Sequence, residues 1–189
     1  MSRSFRAAIA CGAVAVAAAV SSVSSATAQQ PSAVNREQIL ELHSKDDKGG
    51  SAEKGRPLFE VRCAGCHRFG GIGKDVGPDL TTITSRFKKR DILESVLWPS
   101  KIVSDQYQPE MFELSDGKVV SGLIVRENAT AILLRTSGNP DKPIVVNKAQ
   151  IANRASSTIS MMPEALFDDL DNTKIADLLA FVMAPPPEK

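Results

Sequence analysis

Two cysteines and a histidine stand together in the run Cys63-Ala64-Gly65-Cys66-His67, which constrains the fold more than any other part of the chain. Two thiols at this spacing can each form a thioether with one of the two vinyl groups of a single haem. The histidine beside the second thiol then lies below the iron, where imidazole is a common ligand. The run therefore predicts one haem attached through Cys63 and Cys66, with His67 as an iron ligand.

Two other uses of paired cysteines fit the sequence less well. A thioredoxin-like redox pair belongs in a βαβ unit, and the residues around the motif show no such pattern. A structural zinc site needs a second pair of ligands at similar spacing. The remaining cysteine and histidine, Cys11 and His43, do not form such a pair. The motif favours haem attachment over both.

The first 28 residues have the pattern of a secretory signal peptide. Two arginines precede the small apolar stretch 7–20, and the polar residues after it end in Ala26-Thr27-Ala28, a typical cleavage site. The apolar stretch is short and rich in alanine for a membrane-spanning helix of about 20 residues; retention as an anchor is the alternative. Covalent haem is attached after export, so the signal and the motif together predict a periplasmic or otherwise exported protein.

Cleavage after Ala28 would leave 161 residues with 21 basic and 22 acidic side chains, because the signal peptide contains two arginines and no acids. This near-neutral balance gives no indication of nucleic-acid binding. The length suits one domain, or a small domain with an insertion. Cleavage would also remove Cys11 and leave only the two cysteines of the motif.

Residues 29–50 are expected to form a flexible leader, because linker-like residues begin it and a charged, glycine-ended stretch closes it. The part from Asn35 to His43 could form one short helix. His43 could serve as a distal haem ligand, but a lone histidine in a leader is more often solvated.

Two amphipathic segments are predicted to be the first and last helices of the domain. The first runs from about Ser51 into the motif, with Gly55 and Phe59 on one face. The last ends before the prolines at 185–187 and carries an apolar stripe at helical spacing. Gly55 on the first helix and Phe181 on the last resemble the close helix crossing of the cytochrome c superfamily.

The resemblance gives a role to the glycine-rich loop after the motif. Gly77-Pro78-Asp79-Leu80 is similar to the cytochrome loop in which a proline carbonyl accepts the Nδ1–H of the iron-bound histidine. Such a bond fixes the orientation of the ring and raises its basicity as a ligand. The resemblance therefore implies that Pro78 supports His67 in cofactor binding; a plain turn proline is the alternative.

A second axial ligand is implied by a stretch near the end of the chain. The pair Met162-Pro163 lies in 160–166, which resembles the loop of cytochromes c that presents a methionine sulfur to the iron. A thioether ligand in an apolar pocket raises the iron potential. Met162 is the implied ligand and Met161 is the near alternative, although most methionines simply fill cores. More distant alternatives are Met111, Met183 and His43.

Between about 107 and 155 the pattern changes from helical to β. Alternating apolar residues and turn signals such as Asp116-Gly117 predict four or five short antiparallel strands. They would form a meander or small barrel that serves as a structural lid or a partner-docking surface. The predicted fold is α+β: a mainly α cytochrome c fold around one haem over 51–184, interrupted by this insertion before the methionine loop, with 185–189 as a tail.

The order of the motifs from about Ala52 to Val182 is similar to a haem-binding domain described from Planctomycetes and Verrucomicrobia. That domain often lies at the C-terminal end of large membrane-bound dehydrogenases. Here a signal peptide begins the chain and the dehydrogenase is absent, so we expect any electron donor to be a separate protein. The matching runs are 63–67, 76–80, 90–95, 99–102, 112–118 and 160–163.

The resemblance implies a periplasmic mono-haem c-type cytochrome that carries single electrons, accepting them from an exported dehydrogenase or another cytochrome. No residue constellation predicts bond-making catalysis, so we expect an electron-transfer protein rather than an enzyme. We expect no nucleic-acid partner and no stable membrane span after signal cleavage. The alternatives are a haem-based sensor or gas binder, and an electron-transfer subunit of a peroxidase or dehydrogenase complex.

A set of basic residues is hypothesised to form a docking patch for a redox partner, since complementary charge accelerates the encounter of two proteins. A solvated helix start is the alternative. The set consists of Lys74, Arg86, Lys88, Lys89 and Arg90.

Overall fold

The computed structural model describes residues 35–45 and 49–188. The predicted signal peptide and the first part of the predicted leader lie outside these residues. The described part contains both helices and a five-stranded sheet, which confirms the mixed α+β class. None of its helices is long and apolar enough to cross a membrane. The helices are α1 (Arg36–His43), α2 (Ala52–Arg62), α3 (Lys89–Leu97) and α4 (Asn172–Met183).

Helices α2 and α4 form the centre of the helical part, and each begins at a side-chain cap. The Ser51 hydroxyl accepts a backbone N–H from the first turn of α2, and the Asp171 carboxylate does the same for α4. Both caps satisfy donors that have no partner within their helix. Helix α4 ends at Met183, and the prolines at 185–187 come one residue later, where they cannot continue the helix.

The two helices cross at Gly55, where their backbones come unusually close. A Cβ at Gly55 would lie 1.9 Å from the carbonyl oxygen of Asp177 and 2.9 Å from the Cβ of Phe181. The buried Asp177 side chain meanwhile accepts the Ser51 N–H at 2.6 Å. The negative charge of the Asp177 carboxylate is also favourable here, because the N-terminus of α2 is the positive end of the helix dipole. The two helices therefore approach closely because Gly55 has no side chain, and the buried hydrogen bond between Ser51 and Asp177 joins them at the same place.

Three phenylalanines fill the core beside this crossing. The rings of Phe59, Phe69 and Phe181 are buried and lie 5.3 to 5.7 Å apart between centroids, in tilted and edge-on arrangements. Such geometries bring the positive edge of one ring to the negative face of another. Phe69 comes only two residues after His67, so the aromatic cluster lies next to the cysteine motif along the chain.

Helix α1 packs against the domain, which corrects the expectation of a flexible leader for this part of 29–50. Its side chains Ile39, Leu40 and His43 are buried, the first two in the same core as α2 and α4. The ring Nε2 of His43 lies 3.2 Å from the side-chain oxygen of Asn172, the first residue of α4. At the other end of the helix, the Arg36 guanidinium donates to the carboxylate and to the backbone carbonyl of Glu164, each at 3.3 Å, so apolar and polar contacts together dock this helix of eight residues.

A five-stranded antiparallel sheet lies between α3 and α4 in the chain. Its spatial order is β6-β5-β4-β3-β7, so four consecutive strands are neighbours and the fifth returns beside the first. The ends of 110–114 and 151–156 are paired, with Glu110 opposite Ser156, so the chain enters and leaves the sheet at adjacent points. The strands are β3 (Glu110–Leu114), β4 (Val119–Glu127), β5 (Ala131–Arg135), β6 (Ile144–Asn147) and β7 (Ile151–Ser156); β1 (Arg68–Phe69) and β2 (Ile72–Gly73) form a separate small hairpin.

The sheet has a small core of its own. Phe112, Ile132, Leu134 and Val146 point to one face and are almost completely buried, following the two-residue period of a strand. This cluster is distinct from the helical core that surrounds the three phenylalanines. The sheet and the helical part therefore each bury their own apolar residues, and polar contacts such as the Lys74–Asp141 ion pair join them.

Candidate haem site

The cysteine motif forms a tight turn at the C-terminal end of α2. Cys63 follows the last residue of the helix and donates its backbone N–H to Phe59 at 2.8 Å. The backbone N–H groups of Cys66 and His67 then both bond the carbonyl of Cys63, at 3.0 and 2.8 Å. The turn brings the two cysteines and the histidine to one end of the helix, as the spacing predicted.

Both thiols are free, and their surroundings favour the protonated form. Burial raises the pKa of Cys63 to about 12, against a smaller opposing effect of the neighbouring Arg62 guanidinium. Burial also raises the pKa of Cys66. A thioredoxin-like nucleophile needs the opposite, a lowered thiol pKa that provides thiolate at neutral pH. These cysteines thus lie in the apolar setting that suits thioethers.

The imidazole of His67 has one nitrogen engaged by the backbone. Its Nδ1 lies 2.8 Å from the carbonyl oxygen of Pro78, which is the predicted hydrogen bond. A carbonyl can only accept, so Nδ1 carries the proton and the lone pair of the neutral ring is on Nε2. Burial lowers the pKa of His67, and the bond to Pro78 opposes that shift. A neutral ring with Nε2 unprotonated is the form that binds a metal.

The loop that carries Pro78 folds back onto the motif. The backbone N–H groups of Val76 and Gly77 both bond the carbonyl of Cys66, at 2.9 and 2.8 Å. A Cβ at Gly77 would lie 2.7 Å from Cε1 of the His67 ring, so the ring rests directly on this glycine. Gly77 was predicted only as a member of a glycine-rich loop, and its contact with the ring is the reason for a glycine there.

The stretch proposed from sequence to supply a methionine is held by side chains from several parts of the chain. Met161 and Met162 are both half-buried, and the Met162 N–H is donated to the Ser160 hydroxyl at 3.1 Å. The N–H of Ser160 is donated in turn to the Ser100 hydroxyl at 3.1 Å. Further along, Phe167 is buried in the helical core. The stretch has no regular secondary structure, so these contacts determine its path.

Arg62 joins this stretch to the cysteine motif, and the sequence analysis missed it. Its guanidinium donates two bonds to the Asp169 carboxylate, at 2.7 and 2.8 Å, and a third to the carbonyl of Leu166 at 2.9 Å. The paired bonds raise the pKa of Arg62 and lower that of Asp169. Arg62 immediately precedes Cys63, so one side chain links the thioether position to the residues after Met162. Only its position at the end of a predicted helix beside the motif could have drawn attention to it.

The structure brings Cys63, Cys66, His67 and Pro78 into one turn-and-loop unit, with Met162 on a separate segment. The alternative ligand His43 is engaged with Asn172 at the start of α4. Of the other methionines, Met111 lies in β3 and Met183 is the last residue of α4. Within residues 35–45 and 49–188, no cluster of three or more histidines, cysteines and acids could hold a metal ion by itself.

The structure removes Lys89 from the hypothesised basic docking patch, while the other four members are exposed and their role in docking stays a prediction. Lys89 is buried and donates to the carbonyl of Lys45 at 3.2 Å. Lys74 is ion-paired with Asp141 at 2.5 Å, and Arg90 lies 3.8 Å from Glu41. Lys89 and Arg90 of α3 therefore contact α1 and the residues that follow it, which the charge pattern alone could not reveal. Arg86 and Lys88 are exposed.

Two free thiols and a singly protonated imidazole on one rigid turn define a site for covalently attached haem. A family model for cytochrome c matches residues 52–116, from the first residue of α2 to the turn after β3. The cytochrome c-553-like protein of Synechocystis sp. (strain PCC 6803) is 32% identical over 69 residues, which cover 35% of this chain and 63% of that protein. The chain thus spans less than two thirds of the length of that relative.

Residues 52–116 are therefore similar to the cytochrome c family, and the relative of 32% identity points to the same class of protein. The cofactor of that family is haem c, held covalently through the cysteines of the motif, and Cys63 and Cys66 stand at the matching positions. The residues present fit this group: no disulfide joins Cys63 to Cys66, the ring of His67 has its Nε2 unprotonated, and Gly77 has no side chain that would clash with the ring.

Proposed function

We propose that the protein is an exported mono-haem cytochrome that carries single electrons between redox partners. The observation that carries the proposal is the 2.8 Å bond from His67 Nδ1 to the Pro78 carbonyl, beside two free thiols. This bond leaves Nε2 as the only ring nitrogen that can bind iron. Haem c supplies reversible one-electron chemistry when bound, and the residues around it hold, orient and shield it.

Each residue of the site has a distinct task in this proposal. Cys63 and Cys66 hold the haem by thioethers, and His67 is the first axial ligand, oriented by Pro78. Apolar side chains beside the helical core limit the access of water, which favours the less charged, reduced iron. Half-buried apolar residues suited to this role are Ile72, Leu80, Ile83, Val96, Trp98 and Leu166.

We assign the second axial position to Met162. The segment around it is held by Ser100 on one side and by Arg62 on the other, so it has a defined path relative to the motif. Pro163 restricts the backbone of the residue before it, which limits the conformations of Met162. Met161 is half-buried as well but does not precede a proline, so it is the second candidate. A histidine–methionine pair keeps the iron six-coordinate in both redox states, which suits electron transfer rather than bond-making catalysis.

The proposal includes export and a separate electron donor. The signal pattern of residues 1–28 predicts cleavage after Ala28 and transfer to the periplasm. The motif order resembles the haem domains of Planctomycetes and Verrucomicrobia, which supports an exported dehydrogenase, or another cytochrome, as the donor. The relative named above is a cytochrome c-553-like protein, which supports an electron carrier of the cytochrome c class.

Intact mass spectrometry of the protein purified from a host that attaches haem c tests the proposal. The expected mass is that of residues 29–189 plus one haem. The Cys63→Ser, Cys66→Ser double variant should have the mass of the chain alone, which separates covalent attachment from bound haem. A wild-type mass without haem, or with more than one haem, would contradict the proposal.

Two alternatives remain distinguishable by experiment. A haem-based sensor or gas binder needs an open or easily displaced sixth position, so rapid binding of carbon monoxide to the reduced protein would favour it. An electron-transfer subunit of a peroxidase or dehydrogenase complex should copurify with a larger exported oxidoreductase. The His43 ring contacts the side chain of Asn172, so it does not supply a second histidine ligand for either alternative.

A further inference from the structure

Helix α1 precedes the stretch 52–116 that is similar to the cytochrome c family, yet it is docked on the helical part of the protein. Its apolar residues are buried in the helical core, and His43 contacts Asn172 at the start of α4. From α3, the Arg90 guanidinium donates to the Ser44 hydroxyl at 3.3 Å, just after the end of α1. These contacts hold the middle and the C-terminal end of α1, so the helix is a fixed support for the residues of its first turn.

The first turn of α1 contacts the segment that contains Met162. Arg36 is the first residue of the helix, and the Asn35 side chain caps this end by accepting the Gln38 N–H at 3.0 Å. The Arg36 guanidinium donates two bonds to Glu164, one to the carboxylate and one to the backbone carbonyl, each at 3.3 Å. One guanidinium therefore holds both the side chain and the main chain of the same residue.

Glu164 follows Met162 by two residues, in a stretch that has no helix or strand. It is exposed, as are its two neighbours in the chain, so burial contributes little to its position. Ser100 holds the segment before Met162, and Arg62 holds it further on, through the bonds described above. The contact from Arg36 lies between these two, and it acts on the main chain two residues from the methionine.

We propose that Arg36 is a positioning residue for Met162, so that helix α1 restrains the segment that supplies the sixth ligand. The proposal rests on the haem site and on the assignment of Met162 made above. For another ligand to replace the methionine sulfur, the segment must move away from the iron. The bonds from Arg36 oppose this movement, and because α1 is already docked, forming them costs little additional order.

The Arg36–Glu164 ion pair is partly exposed, and pairs of this kind contribute little when they stand alone. Two features raise the contribution here. The helix that carries the arginine is held by buried contacts, and the second bond goes to a backbone carbonyl, which remains when the carboxylate is changed. We therefore expect a measurable effect when the guanidinium is removed, and a smaller one when only the carboxylate is neutralised.

The test is a titration of the oxidised holoprotein with imidazole, followed by the long-wavelength iron–sulfur absorption band. We expect Arg36→Gln to lose the band at about threefold lower imidazole concentration than wild type, which is the effect of an ion pair of moderate strength. Glu164→Gln keeps the carbonyl bond and Arg36→Lys keeps the charge, so both should lie between wild type and Arg36→Gln.

Arg90→Gln is the matched control, because it removes an arginine whose contacts are with Ser44 and Glu41, at the other end of α1. It should lose the band at the wild-type concentration of imidazole. Unfolding of each holoprotein in denaturant, followed by circular dichroism, is the second readout. A residue that only stabilises the fold would change the unfolding midpoint and the imidazole titration together, whereas we expect Arg36→Gln to differ from Arg90→Gln in the titration alone.

Equal imidazole concentrations for Arg36→Gln, Arg90→Gln and wild type would overturn the proposal, and so would an equal decrease in both arginine variants. If Arg36→Gln does not fold, the comparison of Arg36→Lys with Arg90→Gln decides in the same way. A normal band in wild type with no effect of Arg36 removes only this role. A wild-type holoprotein without the band removes the assignment of Met162 and the role of Arg36 with it, whereas a protein without covalent haem removes the proposed function itself.

Discussion

The carbonyl oxygen of Pro78 determines which nitrogen of His67 can face a metal. It accepts the Nδ1–H at 2.8 Å, while Gly77 lies under the ring and two backbone bonds hold the loop to Cys66. These contacts connect residues about ten positions apart, so the loop and the motif behave as one rigid unit. An imidazole that is already oriented loses little freedom when it binds iron.

Gly77→Ala should disturb this unit directly. The added Cβ would lie 2.7 Å from Cε1 of His67, a distance at which either the ring or the loop must move. We expect a lower yield of holoprotein and a changed absorption spectrum, because the ring tilts and its bond to Pro78 weakens. Gly138→Ala is the control, since a Cβ there has nothing within 4 Å. A normal spectrum and yield for Gly77→Ala would contradict the packing of the ring on this glycine.

Arg62→Ala should loosen the segment that follows Met162. The substitution removes the paired bonds to Asp169 and the bond to the Leu166 carbonyl. We expect added imidazole to displace the methionine at several-fold lower concentration, measured as loss of the iron–sulfur absorption band. Arg56→Ala removes a surface ion pair with Glu60 on the same helix and should leave that concentration unchanged. Equal behaviour of the two variants would show that Arg62 does not hold the loop.

At the scale of elements, the crossing of α2 and α4 sets where the motif begins. The last turn of α2 leads directly into Cys63, and the crossing at Gly55 determines the position of that turn relative to α4. The rings of Phe59 and Phe181 pack beside it at 5.4 Å between centroids. A change at the crossing should therefore affect stability first and the haem site only through the position of α2.

Gly55→Ala should destabilise the folded protein by about 3 kcal/mol, at the upper end of what overpacking costs in a tight core. A Cβ there would lie 1.9 Å from a backbone oxygen of α4, and a backbone cannot move aside as a flexible side chain can. Thermal or denaturant unfolding of the holoprotein measures the effect. Gly49→Ala, with nothing within 4 Å of the added Cβ, should match wild type. An unfolding midpoint for Gly55→Ala equal to that of Gly49→Ala would rule out the close crossing.

At the scale of the whole molecule, local patterns were predictable from the sequence and distant contacts were not. The cysteine turn, the start of α2 at Ser51 and the alternation of the strands depend on residues a few positions apart, so their types alone carry the information. The bonds of Arg62 to Asp169 connect positions 107 apart in the chain, and no spacing rule describes them. The docking of α1 was missed for the same reason, since a short segment with few apolar residues resembles a leader until its partner helix is known.

The sheet shows most clearly that local patterns were predictable from the sequence and distant contacts were not. Alternating residues predicted its strands, but their order, with β7 returning beside β3, depends on pairing over about forty residues. That order lets the chain enter and leave the sheet at adjacent points, between α3 and the segment that contains Met162.

The absorption spectrum of the oxidised holoprotein, with a redox titration, tests the central claim most directly. Wild type, Met162→Ala and Met161→Ala should be compared, since the two methionines are adjacent and both are half-buried. We predict a long-wavelength iron–sulfur charge-transfer band in wild type and in Met161→Ala, and its loss with a lower potential in Met162→Ala. A wild-type protein that lacks this band and binds carbon monoxide readily would contradict the His67–Met162 electron carrier.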